Sequence, residues 1–163
     1  MQARLRQTCL FAAVATLVVV LAGTTFAKSG NSDVGTWKLN VEKSKSLAGT
    51  APTKSTYLVE VAGAGVKVTV DALSADGTVR HWAFTANYDG KDSPIVGNSS
   101  FGDVVNVTRV DANTTKNIYK MGGNVTITQT AVVSGDGKTR TVSLKGTNAS
   151  GQTLDNVYIY DKQ

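Results

Sequence analysis

The chain has 163 residues, a formal net charge of +5, one cysteine, one histidine and 41% hydrophobic residues. That length suits a single domain, and its lysines are interleaved with acids, which excludes the basic stripe of a nucleic-acid binder. One cysteine excludes an intrachain disulfide, and one histidine excludes the common His and Cys metal centres, so no metal or cofactor is expected.

Met1 to Cys9 carries Arg4 and Arg6 with no acid, Leu10 to Gly23 is apolar or small throughout, and Thr25-Phe26-Ala27 places small residues where a leader is cleaved. Residues 1–27 therefore read as a secretory signal peptide. The apolar run of about 14 residues is short of the roughly 20 that span a bilayer, and no stop-transfer charges follow it. The expected mature domain, residues 28–163, loses Cys9 and two of the positive charges. It is expected to be periplasmic or extracellular, monomeric, and without stable membrane insertion.

Next in the chain comes Gly35-Thr36-Trp37-Lys38-Leu39-Asn40, an alternating strand with a tryptophan near its head. A polar stretch, 42–54, follows it and reads as a connection that could hold one short helix or wrap across an end of the fold. Beyond it the period is two. Val66, Val68 and Val70 share one face; Val125, Ile127, Ala131 and Val133 another; Val142 and Leu144 a third. Turn clusters such as Ser74-Ala75-Asp76-Gly77, Tyr88-Asp89-Gly90-Lys91, Gly122-Gly123 and Ser134-Gly135-Asp136-Gly137 separate these runs, supplying the positive φ that tight hairpins need. Many sequential hairpins leave two open edges unless the sheet closes on itself. The expected fold is all-β: a single antiparallel up-and-down β-barrel of about 8–10 strands, with a two-sheet sandwich bearing charged edges as the alternative.

Several motifs reduce to turns. Gly135 to Thr139 imitates the tail of a phosphate-binding loop, but a strand rather than a helix follows it, so the phosphate would lack a helix N-terminus. Asp71, Asp76, Asp89 and Asp92 lack the spacing of a calcium loop. The N-x-S/T matches at Asn98, Asn106, Asn113, Asn124 and Asn148 follow from a Thr- and Asn-rich composition. In Arg80 to Tyr88, Arg80 shares the parity of Trp82, Phe84 and Tyr88 whereas His81 does not, so an outward histidine and no catalysis are expected.

The head strand with its G-x-W, the polar link, the hairpin ladder and the alternating end Val157-Tyr158-Ile159-Tyr160 together resemble the calycin group, meaning lipocalins and especially cytosolic fatty-acid-binding proteins. With GTWKLN, KSK and YDGKD beside a leader, the chain is similar to small exported bacterial lipocalin-like proteins. The resemblance implies that Gly35 permits close approach at the first strand and that Trp37 plugs the closed end of the barrel. It also implies a carboxylate clamp, Arg-x-Tyr, where this chain has Asn156 and Tyr158. An asparagine cannot form the charge-assisted bidentate bond of an arginine, and Arg109 is the candidate replacement, against the general tendency of strand-end arginines to face water.

The remaining candidates are aromatic. Trp82, Phe84, Tyr88, Tyr119, Tyr158 and Tyr160 either line a cavity, with Arg109 and Asn156 beside them, or fill the barrel solidly. The favoured reading is an exported binder of a small hydrophobic or amphipathic molecule. A ligand-free interaction module with a filled barrel is the alternative, and an enzyme built on Arg80 and His81 ranks third.

Overall fold

The computed structural model describes residues 31–47 and 51–163, so the leader expected over residues 1–27 lies outside the described residues. Eleven strands follow one another: β1 (Gly35–Lys45), β2 (Pro52–Ala62), β3 (Gly65–Ser74), β4 (Val79–Ala86), β5 (Asp89–Pro94), β6 (Val96–Gly97), β7 (Val104–Arg109), β8 (Thr114–Met121), β9 (Asn124–Val133), β10 (Thr139–Thr147) and β11 (Thr153–Lys162). They form one sheet in the order β5-β7-β8-β9-β10-β11-β1-β2-β3-β4-β6, antiparallel throughout. The sheet curls into a nearly closed up-and-down barrel, and no helix occurs among the described residues.

The barrel has eleven strands because one span is split between two partners. Residues 89–94 pair with β7, and two residues later Val96 and Gly97 pair with Ala83 and Trp82 of β4. The span thus bridges the two ends of the sheet instead of forming a hairpin with β4. Gly97 makes the switch at φ +106°, where a Cβ would lie 2.2 Å from the His81 carbonyl oxygen. Asn98 fastens the same edge: its amide donates to the His81 carbonyl at 3.0 Å and its side chain donates to the Val79 carbonyl at 2.9 Å.

Two expectations about the strands are corrected. Val125 is 61% exposed instead of sharing the inner face with Ile127. Tyr119 pairs with Ile127 while Lys120 pairs with Val125, so Thr126 is an extra residue in β9, a bulge that reverses the parity before it. The polar span 42–54 is mostly strand: β1 continues irregularly to Lys45, with the Ser44 hydroxyl accepting from the Ile159 amide at 2.9 Å, and β2 begins at Pro52. The described part of the link contains no helix.

Inside, alternate residues of every long strand make one core, which includes Trp37, Val59, Val70, Ile127, Val142 and Leu144. Trp37 is fully buried at one end of the barrel, and its indole donates to the Asp33 carbonyl at 2.7 Å. Gly35, at φ +138°, leaves room for the Lys162 side chain, whose ammonium lies 4.8 Å from the centre of the Trp37 ring. Truncating a tryptophan buried in this way costs about 3–5 kcal/mol.

Candidate ligand cavity

The barrel interior is unequal along its axis. The half around Trp37 is packed. The other half encloses a cavity of about 110 Å³ that reaches the surface beside Pro52, Ala75 and Asp76. Strand alternation aims its walls inward: Ser55 and Tyr57 on β2, Val70 and Ala72 on β3, Trp82 on β4, Leu144 on β10, and Leu154, Tyr158 and Tyr160 on β11. Phe101, from the β6–β7 connection, covers the side that the interrupted strand leaves open.

The rings hold one another by edges and faces. Tyr57 meets Trp82 at 6.3 Å and Tyr160 at 5.2 Å, both near perpendicular, and Phe101 meets Trp82 at 6.0 Å. Such arrangements set the positive edge of one ring against the negative face of another. Hydroxyl groups of Ser55, Tyr57, Ser74, Ser100, Tyr158 and Tyr160 punctuate the wall, with the Asn148 and Gln152 side chains beside them. Tyr160 donates to Ser55 at 3.3 Å, and the Tyr158 oxygen accepts from Asn156 at 2.7 Å. Asn156 accepts in turn from the Leu47 amide at 2.9 Å, tying the β1–β2 link to the cavity wall. Burial pushes the phenols of Tyr158 and Tyr160 above the usual tyrosine range, so both remain neutral donors at any ordinary pH.

Charge is kept away from these walls. The charged side chains lining the cavity, Asp76 and Arg80, stand at its mouth; Asp76 is exposed and Arg80 half-buried. The Thr78 amide and hydroxyl hold the Asp76 carboxyl below its ordinary value. At the packed end lies a buried ion pair, in which Arg140 Nε donates to Asp33 Oδ1 at 2.6 Å and the guanidinium carbon sits 4.9 Å from the centre of the Tyr57 ring. Asn117 Oδ1, Gln129 Nε2 and Arg140 Nη1 are buried with no hydrogen-bond partner among the described residues. A pocket of about 10 Å³ beside Asn117 and Arg140 is about the size of one water.

Of the residues singled out in the sequence, Trp82, Tyr158 and Tyr160 line the cavity. Tyr119 is fully buried behind it, edge-on to Trp82 and Phe101, and donates to Gln129 at 3.2 Å. Phe84 stacks on Trp82 from the packed half, and Asn156 acts through Tyr158 and Leu47. Tyr88 turns away at φ +59° towards Asn31. Arg109 is exposed, 4.1 Å over the Tyr88 ring, and so cannot supply a charge to the cavity. His81 faces outward beside Asp71, Nδ1 to Oδ1 2.6 Å, with both side chains about two-thirds exposed and the sheet between them and the cavity.

Sequence reasoning passed over Tyr57, Ser55, Phe101 and the Asp33–Arg140 pair. The pattern held a signal for two of them. Tyr57 shares its parity with Ser55 and Val59, and Arg140 has the dry parity of Val142 and Leu144. Phe101 lies in a connection with no period to read. No protein-family model, curated protein or solved structure matches the chain.

Proposed function

We propose that the protein is an exported, lipocalin-like binder of a small hydrophobic or amphipathic molecule, monomeric, working in the periplasm or outside the cell and without catalysis. One observation carries the reading. A cavity walled by aromatic and aliphatic side chains with convergent polar groups is the usual composition of a small-molecule site, and here five aromatic rings, hydroxyls and two amides line one that opens at one end of the barrel while the other end is packed. The opening beside Pro52 also fits an entrance next to the β1–β2 link. His81 and Asp71, the pair nearest to a catalytic arrangement, lie on the outer face, out of reach of a molecule held inside.

Native mass spectrometry of residues 28–163, purified from the exporting host beside a solvent extract, tests the proposal. A stoichiometric bound mass is expected. A clean apo mass, with no thermal shift across lipids and small hydrophobes, would transfer the assignment to a ligand-free interaction module.

A further inference from the structure

We infer that the cavity selects a single uncharged aromatic ring bearing a hydroxyl or comparable polar group, and excludes long acyl chains. The inference rests on the binding role proposed above and narrows its ligand class.

Size sets the first limit. A cavity of about 150 Å³ lined by apolar side chains takes up benzene, and this one encloses about 110 Å³. One six-membered ring is therefore the largest group that enters without moving the walls. Pockets for larger organic ligands start at about 300 Å³, so a chain of sixteen carbons would have to lie mostly outside. The packed half offers it no continuation, because Trp37, Val59 and Tyr119 are at most 1% exposed.

The walls set the second limit. Tyr57, Trp82, Phe101 and Tyr160 surround the space with ring faces and edges already spaced 5.2–6.3 Å apart. A ring seated in the cavity meets their exposed faces and edges and can pack edge-to-face against them. An aliphatic group gains area there but not the quadrupole contact.

Charge and hydrogen bonding set the third. A ligand carboxylate deep inside would meet no cation, since Arg140 is paired with Asp33 at the other end and Arg80, which forms no ion pair among the described residues, stands at the mouth. Burying an unpaired charge is costly, whereas a hydroxyl needs only one partner. The Ser55 and Tyr160 hydroxyls, 3.3 Å apart on the wall, supply one acceptor and one donor. A substituent on the ring can leave through the mouth past Arg80.

The test uses residues 28–163, stripped of any co-purifying molecule and titrated calorimetrically with phenol, toluene and palmitate. Phenol is expected to bind saturably, toluene about fivefold more weakly through loss of one hydrogen bond, and palmitate not at all. Ser55→Ala should remove the advantage of phenol over toluene. Ala72→Leu, which extends a side chain into the cavity from opposite Ser55, should weaken both at least tenfold with the urea midpoint retained. Palmitate binding, alone or beside phenol, would overturn the size limit while leaving the carrier role intact. A co-purifying molecule without an aromatic ring would do the same. Equal affinity for phenol and toluene would overturn the polar contact. No binding of any probe together with a clean apo mass would remove the carrier role itself.

Discussion

The Asp33–Arg140 pair offers the sharpest test of how this barrel is held shut. Arg140 is 2% exposed, Asp33 Oδ1 accepts from its Nε at 2.6 Å, and the second contact, Nη2 to Oδ2, is 3.5 Å. Arg140→Met keeps most of the aliphatic volume and leaves the carboxylate without its cation. Breaking a buried pair from one side costs about 3–5 kcal/mol. The Asp33 side chain is 10% exposed, in the segment just before β1, so it can reach water by lifting that segment at the expense of the Trp37 indole bond. The lower end, about 3 kcal/mol, is therefore expected, a fifth or more of the stability of a domain with a typical 5–15 kcal/mol. Urea unfolding followed by the fluorescence of the two buried tryptophans measures it, with Asp33→Asn and the double variant closing a cycle. A coupling of at least about 2 kcal/mol is expected, because the double variant leaves no unpaired charge. A loss under about 1 kcal/mol for Arg140→Met, or additivity within about 0.5 kcal/mol, would refute the reasoning.

Four further outcomes follow from the same interior. Tyr57, Tyr119 and Tyr160 are held neutral far above the ordinary tyrosine range by burial, whereas the unfolded chain ionises them near pH 10. Their contribution is intact below that pH and is lost above it, by about 4 kcal/mol at pH 11 for the three together; tyrosinate absorbance should rise together with loss of the near-ultraviolet dichroism, and ionisation of these tyrosines in a still-folded protein would contradict this. Gly97→Ala forces a side chain against the His81 carbonyl at a left-handed φ, so a loss of at least about 2 kcal/mol is expected, with faster amide exchange in β4 than in β9. Asn117→Leu removes a buried acceptor oxygen that has no partner among the described residues together with the side-chain hydrogen bond to Tyr119, so the two effects offset and stability should change by less than about 1 kcal/mol, whereas a large loss would show that the oxygen is satisfied in solution. His81→Ala breaks an exposed pair and should change stability by less than about 1 kcal/mol, with that difference shrinking in high salt.

Much of the architecture is local and could be read directly from the chain. Alternation of apolar and polar residues marks the strands because successive side chains leave a pleated backbone on opposite sides, and the Gly and Asp clusters mark the hairpins because only certain residues accept their turns. The same parity put Trp82, Tyr158 and Tyr160 inside and His81 outside. Where the backbone departs from strict alternation, the sequence misleads: the extra residue at Thr126 sends Val125 to the surface, and the division of residues 89–97 between β7 and β4 leaves no periodic trace. The meeting of Asp33 with Arg140, 107 residues apart, and the position of Phe101 over the gap in the sheet depend on register and closure. Pleat direction is a property of each residue and its neighbours, so the sequence by itself determined antiparallel strands with an aromatic inner face. Which inward side chains touch, and that they leave about 110 Å³ at one end, is decided by how eleven strands stagger as the sheet closes, and only the tertiary structure contains that.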